Sequence, residues 1–139
     1  MQTPTTFTIP TISVPVVTGV TAGRGIPEDY TDWAITGFRD VRMFPASDIN
    51  ARFAAVPVEG ESLKNLGIFD GDMLIMRITS DYEDGKIGIW QTPHGRTAKF
   101  AYYDRDNSVV LHNENGWRQS WDPSELRLLG VVVRVERDL

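Results

Sequence analysis

Short apolar runs alternate with clusters of turn-forming residues along most of the chain after residue 52. Runs of β-branched, aromatic and aliphatic residues predict strands at 53–58, 72–78, 86–92, 96–103, 108–112, 117–121 and 128–135. Asp84-Gly85 and Asn115-Gly116 are hairpin-type turn signals, and short helical turns are predicted after Ser62 and at 123–126. The pattern contains no internal repeat. It predicts a mostly β fold, a small twisted sheet or partly open barrel with one or two short helical turns.

The first part of the chain has a different pattern. Residues 1–13 are rich in Thr and Pro and show no helical period, which is typical of an extended arm. The segment 14–20 is β-branched, but Pro15 and Gly19 interrupt it, so it is expected to pair only at a sheet edge. We predict an extended arm ending in a flexible loop over residues 1–25, and a folded domain over 26–139.

Composition narrows the class of protein. A length of 139 residues with 41% hydrophobic residues favours one domain with a real core. The net charge of −5 and the lack of a Lys/Arg run predict no direct binding of this chain to DNA. The absence of cysteine excludes disulfides and thiolate chemistry. No apolar run reaches the ~20 residues that span a bilayer, and no signal peptide is recognisable, so a cytoplasmic protein without a membrane partner is expected.

Ser62 follows Gly60-Glu61 at the end of the strand predicted at 53–58. Read alone, Ser62 is most simply a helix N-cap, because its oxygen can accept a hydrogen bond from an orphan N–H group. The same position also suits a nucleophile, since free N–H groups at a helix start can stabilise an oxyanion. Asp70-Gly71-Asp72 offers too few ligands for a calcium loop and predicts a turn rather than a metal site. No motif in the sequence indicates a cofactor.

A nucleophilic serine needs a base, and three residues are candidates. His94 and His112 lie in or beside predicted turns, and no motif connects either of them to Ser62. Lys99 lies in the middle of the strand predicted at 96–103. A charged residue there usually faces solvent, but Lys99 has apolar neighbours, and burial would lower its pKa toward that of a general base. Lys99 is therefore the preferred candidate.

Several motifs occur in a fixed order along the chain. They are Val58-x-Gly60-x-Ser62-Leu63, Gly67-Ile68-x-Asp70-Gly71-Asp72-x-Leu74-Ile75, Asp84-Gly85-Lys86-Ile87, Thr97-Ala98-Lys99-Phe100, and the segments 110–115 and 129–135. Together they resemble the self-cleaving serine peptidases of the LexA/UmuD type, family S24, over about residues 14–135. The interval of 37 residues from Ser62 to Lys99 is also that of the family. The departures from the usual residues, at Leu63, Lys86 and Phe100, leave both of these positions intact.

The resemblance implies a fold of the LexA C-terminal type and a serine peptidase with a Ser-Lys dyad. Lys99 would act as the base for Ser62, and the backbone N–H groups of Glu61 and Ser62 would hold the oxyanion. No metal or cofactor takes part in this chemistry.

The resemblance also implies a cleavage site within the chain. Ala22-Gly23 has the form of the small dipeptide that these proteins cut, with Val17 and Val20 as apolar anchors of the cleavage loop. Small residues let the backbone enter a narrow site. Taken alone, Ala22-Gly23 would be an ordinary flexible turn, but beside the motifs of Ser62 and Lys99 it is expected to be the bond that is cut.

Three biological settings are compatible with these motifs. The first is a UmuD-like accessory of a translesion DNA polymerase in the DNA-damage (SOS) response, cut on stimulation by a RecA–single-stranded DNA filament. The second is the C-terminal domain of a LexA-like or phage-type transcriptional repressor. The short, non-helical start of the chain favours the first. Both imply a homodimer, expected to form through the apolar strand at 128–135 because an exposed strand edge invites pairing. The third setting is a catalytically silent dimerisation module.

Overall fold

The structure, a computed structural model, describes residues 11–17, 34–42, 51–113 and 116–138. Within these residues nine strands form one sheet, and the helical structure consists of two 3-10 turns, Lys64–Leu66 and Pro123–Glu125. The strands are β1 (Thr11–Val17), β2 (Ile35–Arg42), β3 (Phe53–Pro57), β4 (Met73–Ile78), β5 (Gly88–Thr92), β6 (Gly95–Tyr103), β7 (Val109–His112), β8 (Arg118–Trp121) and β9 (Arg127–Glu136). The predicted mostly β class with short helical turns is confirmed.

The strand order explains how the sheet is assembled. It runs β2-β1-β3-β4-β9-β5-β6-β7-β8, and its two end strands, β2 and β8, do not pair with each other, so the sheet stays open. All neighbours are antiparallel except β1 and β3, which meet in parallel at the single pair Val16 and Ala55. The last strand of the chain, β9, therefore joins the half built from β1–β4 to the half built from β5–β8.

This position of β9 corrects one expectation. The strand was expected to offer a free edge for self-pairing, but β4 lies on one side of it and β5 on the other. Its apolar run is typical of a central strand that is covered on both faces. Residues 133–136 are the exception within the described sheet, because residues 134–136 pair only with β4 and Val133, at the register shift, pairs with neither neighbour. Val133 and Val135 are 42% and 39% exposed in this stretch.

The N-terminal strands also differ from the prediction. β1 lies second from the sheet edge rather than at it. Pro15 has no backbone N–H group to donate. It is nevertheless tolerated, because β1 forms its long ladder with β2 and pairs with β3 at only one residue pair. The edge strand is β2, which the sequence pattern did not predict. Only Val41 is buried among its residues, so the alternation that reveals a strand is weak. The domain boundary predicted at residues 25/26 lies outside the described residues.

Strands β1–β4 curl around a small apolar cluster, in which Val41, Ala55 and Ile75 are fully buried. The curl brings β2 next to the end of β9, where Arg39 forms ion pairs of 3.0 Å with both Glu136 and Asp138.

A second cluster lies where the two halves of the sheet meet, and it positions the candidate site. Its buried members are Val17, Ala54, Val56, Val58, Leu63, Ile68, Leu74, Met76, Ile89, Ala98, Leu129 and Val132. Leu63 is the neighbour of Ser62, and Ala98 is the neighbour of Lys99. Burial of these two apolar side chains in one core therefore draws the loop that carries Ser62 toward the strand that carries Lys99.

Candidate active site

A cleft of about 390 Å³ opens between the loop after β3, strand β6 and the β7–β8 hairpin, and both Ser62 and Lys99 line it. Much of its wall is apolar, formed by Pro57, Val58, Leu63, Leu74, Leu111 and Trp121. The cleft thus brings together two residues that lie 37 positions apart in the sequence. An apolar cleft with a few polar groups is the usual form of a binding or catalytic site.

The loop that carries Ser62 runs from Val58 to Asp72 and is closed by backbone hydrogen bonds at its base. Val58 N donates to Asp72 O at 2.8 Å, and Gly71 N donates to Val58 O at 2.9 Å. Nearer the serine, Gly60 N donates to the Asp70 carboxylate at 2.8 Å. Gly60 has a φ of 87°, which an L-residue with a side chain rarely adopts. The Gly60 and Asp70 motif positions thus shape the turn that presents Ser62.

Arg137, just beyond β9, fastens the far side of this loop. Its guanidinium donates two hydrogen bonds of 2.7 Å to the Asp72 carboxylate and one of 2.8 Å to Gly67 O. It also lies 4.9 Å from the centroid of the Phe69 ring. Asp72 is only 2% exposed, and the Arg137 guanidinium, followed by the Phe69 N–H group, lowers the pKa of its carboxyl. The motif aspartate is therefore a structural anchor that is held as a carboxylate.

The side chain of Ser62 is exposed, and its hydroxyl makes no hydrogen bond to any other described residue. The N-cap of the following 3-10 turn is Leu63, so the interpretation of Ser62 as a helix cap is wrong. The turn begins one residue later than the sequence pattern indicated. A free hydroxyl on the rim of a cleft has no structural task, which leaves it available for chemistry.

The backbone around Ser62 has free donors. Within the described part of the chain, the N–H groups of Glu61 and Ser62 donate no hydrogen bond, whereas Lys64 N donates to Glu61 O at 3.1 Å. The helical turn is only three residues long, so its dipole adds little. Two unpaired N–H groups beside a serine hydroxyl are nonetheless the type of donor that an oxyanion requires.

Lys99 lies on β6 and is 7% exposed. Burial lowers the pKa of its ammonium from the ordinary value of 10.5. No described carboxylate forms an ion pair with it, and its charged group lies 5.1 Å from the centroid of the Trp117 ring. A buried lysine without a counter-ion is costly for the fold. Such a lysine is the form of this side chain that can serve as a base near neutral pH.

Comparison with known proteins agrees with this geometry. The model of the family described as Peptidase S24-like matches residues 15–133, most of the chain. The chain belongs to the Peptidase S24-like family. The resemblance of the motifs around Ser62 and Lys99 is thereby confirmed as a family relationship.

The S24 relatives most similar to the chain include repressors from several bacteria. The chain is 30% identical to the LexA repressor of Lacticaseibacillus casei (strain BL23) over 129 residues, which are 89% of this chain and 58% of that protein. It is 30% identical over 132 residues to the LexA repressor of Exiguobacterium sibiricum, covering 92% and 60%. It is 31% identical over 127 residues to that of Ligilactobacillus salivarius, covering 91% and 59%. The chain thus spans about three fifths of the length of these relatives.

The cleavage site predicted from the S24 resemblance lies outside the described residues, as Ala22, Gly23 and the anchor Val20 all do. Val17, the other predicted anchor, is the last residue of β1 and is 5% exposed. It packs into the same core cluster as Leu63. The segment 18–33 therefore follows directly on a residue that is buried in the same core as Leu63, the neighbour of Ser62.

The alternative bases are placed differently from Lys99. His94 is exposed on the rim of the cleft, with its ring centroid 5.7 Å from that of Trp121. His112 lies on β7, where its ring contacts those of Phe100 and Tyr102 at 5.6 and 5.4 Å. His112 does not line the cleft. Of the three candidates, only Lys99 is both buried and in the cleft.

The described residues show neither a metal site nor a membrane-spanning helix. They contain no group of three or more His, Cys, Asp or Glu side chains that could hold a metal ion. They also contain no helix that is long and apolar enough to cross a membrane.

Sequence reasoning missed the residues that support the site. Arg137 contacts the Ser62 loop across 65 residues of sequence, and no local pattern reveals such a contact. Trp117 was interpreted as one of several scattered aromatic residues, yet it covers the Lys99 ammonium. The one available signal was its place beside the predicted turn at Asn115-Gly116, directly after a matched motif.

Proposed function

We propose that this chain is a self-cleaving serine peptidase domain in which Ser62 is the nucleophile, Lys99 is the base and the Ala22–Gly23 bond is the substrate. The observation that carries the proposal is the shared cleft. It holds an exposed serine hydroxyl without another partner and a buried lysine without a counter-ion. Membership of the S24 family and the family order of the motifs support the same assignment.

The chemistry would proceed in two steps. Neutral Lys99 takes the proton of the Ser62 hydroxyl, and Oγ attacks the carbonyl carbon of Ala22, with the N–H groups of Glu61 and Ser62 donating to the oxyanion. The C–N bond then breaks as the Lys99 ammonium gives its proton to the Gly23 nitrogen. Water, deprotonated by Lys99, attacks the acyl-enzyme. The ester bond breaks, the Ala22 carboxylate leaves, and Ser62 regains its proton.

A gate is needed because an intramolecular reaction has a high effective concentration. In this structure the Ser62 hydroxyl and the Lys99 amine line one cleft without a hydrogen bond between them. We infer that docking of the cleavage loop closes this gap and expels water from around Lys99. A RecA–single-stranded DNA filament would favour the docked state, and high pH would act in the same direction by deprotonating Lys99.

Self-cleavage is tested by following the mass of the purified protein over time between pH 7 and 10, with and without RecA, single-stranded DNA and a nucleoside triphosphate. The expected products are fragments 1–22 and 23–139, formed faster as the pH rises. Ser62→Ala and Lys99→Ala should abolish them. Ser80→Ala and Lys86→Ala change an exposed serine and an exposed lysine outside the cleft, and should cleave like the wild type.

Three outcomes would contradict the proposal. A chain that stays intact at high pH and with the activated filament would indicate a catalytically silent module. Cleavage that persists in Ser62→Ala or Lys99→Ala would assign the chemistry to other residues. Cleavage at a bond other than Ala22–Gly23 would move the substrate elsewhere in the chain.

The comparisons favour a LexA-like repressor as the biological setting. The relatives named above are LexA repressors, and the chain matches about three fifths of their length. We propose that the domain mediates dimerisation and induced self-cleavage in a SOS-type regulator, without contacting DNA itself. The UmuD-like role, with a translesion polymerase as partner, stays a prediction. Pull-down with a translesion polymerase, before and after cleavage, separates the two settings.

We also propose that residues 133–136 mediate the homodimer. This stretch of β9 has a strand partner on one side only and exposes two valines, as described above. Antiparallel pairing of two copies would satisfy the open edge. Val133→Lys with Val135→Lys should convert a dimer into a monomer in sedimentation velocity. Ile35→Lys is the matched control, because Ile35 is also an exposed apolar residue on a strand, and it should leave the dimer intact. An unchanged dimer in the double variant would refute this interface.

A further inference from the structure

Strand β6 changes its partner next to Lys99. Residues up to Lys99 pair with β5, and residues from Phe100 onward pair with β7. β5 begins at Gly88, directly opposite Lys99. Backbone polar groups of residues two apart point to the same edge of a strand. On the β5-side edge of β6 the ladder thus ends at the pair Gly88 and Lys99. The next backbone groups on this edge, those of Ala101, lie beyond the ladder and need another partner.

Two aromatic side chains bond to the backbone at this end of the ladder. The indole N–H of Trp90 donates to Lys99 O at 3.1 Å, and Ala101 N donates to the Tyr82 hydroxyl at 3.1 Å. The Tyr82 hydroxyl in turn donates to Lys86 O at 2.5 Å. The two rings pack against each other with centroids 5.4 Å apart. Burial raises the pKa of the Tyr82 phenol, so its hydroxyl keeps the proton that it donates.

Gly88 makes room for this arrangement. A Cβ atom at Gly88 would lie 2.5 Å from the indole nitrogen of Trp90 and 3.0 Å from a methyl group of Leu128. Real Cβ atoms essentially never approach that closely. The indole therefore reaches the Lys99 carbonyl only because the residue opposite Lys99 has no side chain.

We propose that Trp90 and Tyr82 are positioning residues for Lys99, which fix the backbone at Lys99 and at Ala101 and so hold the Lys99 amine in the dry wall of the cleft. This inference rests on the proposed role of Lys99 as the base. Neither Trp90 nor Tyr82 lines the cleft that holds Ser62, so the two residues act through the strand.

Ionisation of Lys99 reports on this positioning. The other ionisable groups that line the cleft are Glu59, His94 and Arg96, and none of them forms an ion pair with Lys99 among the described contacts. Burial is therefore what lowers the Lys99 pKa and favours its neutral amine. If the strand loosens, water reaches the amine, and Lys99 should titrate closer to the other lysines.

The test is an NMR titration of protein labelled at lysine Cε, carried out in a Ser62→Ala background so that the chain stays intact. The chain has only three lysines, Lys64, Lys86 and Lys99, so the signals can be assigned by substitution. Lys99 should have the lowest midpoint. Trp90→Phe and Tyr82→Phe each remove one hydrogen-bonding group but keep a ring, and should raise that midpoint by about 0.5–1 pH units, with Lys64 and Lys86 unmoved.

Tyr103→Phe is the matched control, because Tyr103 is 76% exposed and its hydroxyl bonds to no described residue. It should leave all three midpoints unchanged. In the Ser62-containing proteins, the pH at which self-cleavage is half-maximal should shift upward with the Lys99 midpoint. A one-unit shift would lower the rate about tenfold at pH values well below the midpoint.

The outcomes separate this inference from the proposed function. Unchanged Lys99 midpoints in both Trp90→Phe and Tyr82→Phe overturn the positioning role, and so does a loss of cleavage that is equal at every pH. A Lys99 midpoint that shifts as expected in a protein that never cuts itself sustains the positioning role while refuting self-cleavage.

Discussion

Gly130, in the middle of β9, offers a sharp test of how tightly the two halves of the sheet are joined. It pairs with Ile78 of β4 on one side and with Ile89 of β5 on the other. A Cβ atom there would lie 2.5 Å from the backbone oxygen of Arg77 and would overlap the Met76 side chain. Met76 can change its rotamer, but a backbone oxygen in the ladder cannot. The two strands would have to separate locally by about half an ångström to reach the 3.0 Å that Cβ contacts require.

Gly130→Ala should therefore destabilise the fold. Overpacking of this kind costs about 1–3 kcal/mol, and a weakened ladder hydrogen bond adds about 1 kcal/mol. Lower entropy of the unfolded chain offsets about 0.4–1 kcal/mol. We expect the free energy of unfolding to fall by about 1–3 kcal/mol, and the melting temperature to fall by roughly 3–10 °C for a domain of this size.

The assay is urea unfolding followed by fluorescence of the four tryptophans, with Gly37→Ala as the matched control. Gly37 is also a strand glycine, but a Cβ atom there would meet nothing within 4 Å. Gly37→Ala should be neutral or stabilising by up to about 1 kcal/mol. Equal stability of Gly130→Ala and Gly37→Ala, with the same dependence on urea, would refute the clash between a Cβ atom at residue 130 and the β4 backbone.

Three further predictions concern charged and polar groups near the site. Lys99→Met should be more stable than the wild type at pH 7. Because burial lowers the Lys99 pKa, the wild type gains stability as pH rises from that lowered pKa to 10.5, so the advantage of the variant should shrink over this window in chemical denaturation. Arg137→Gln should lower stability above pH 3.8. Since Arg137 lowers the Asp72 pKa, that difference should shrink as pH falls from 3.8 through the lowered pKa, and a difference that stays constant below pH 3.8 would contradict the pairing. Trp90→Phe should lower the free energy of unfolding by about 1 kcal/mol more than Trp121→Phe does. The Trp90 indole N–H bonds to Lys99 O, whereas the buried Trp121 indole N–H has no partner among the described residues. Equal losses of stability in thermal unfolding would show that the Trp90 bond contributes nothing.

The strands of the second half of the chain were predictable because their burial is regular. β5, for example, is buried at every position, and β6 to β9 follow predicted runs to within two residues. β2 escaped prediction because Val41 is its only buried residue. The place of β9 between β4 and β5 could not be derived either, since an apolar run shows that a strand is covered but not which strands cover it.

The site was predictable as a set of motifs rather than as a geometry. The order of the Ser62 and Lys99 motifs indicated the family, and the structure places both residues in one cleft. The hydrogen bonds that support them were not accessible, because they join groups distant in sequence, such as Arg137 to Asp72 and Ala101 to Tyr82. The prediction that Ser62 caps the 3-10 turn was wrong for a local reason, since the turn starts at Lys64 and its N-cap is Leu63.

The central position of β9 has a consequence for the chain while it is being made. A ribosome releases Ser62 and Lys99 before residues 127–136, and until β9 arrives no strand of the described sheet connects β4 to β5. A nascent chain would thus hold both groups of the proposed dyad in separate fragments of sheet, without a common cleft. The strand order would thereby postpone the proposed self-cleavage until β9 has been synthesised. Arrested nascent chains that end before residue 127 should stay uncut at a pH where the whole chain cuts itself.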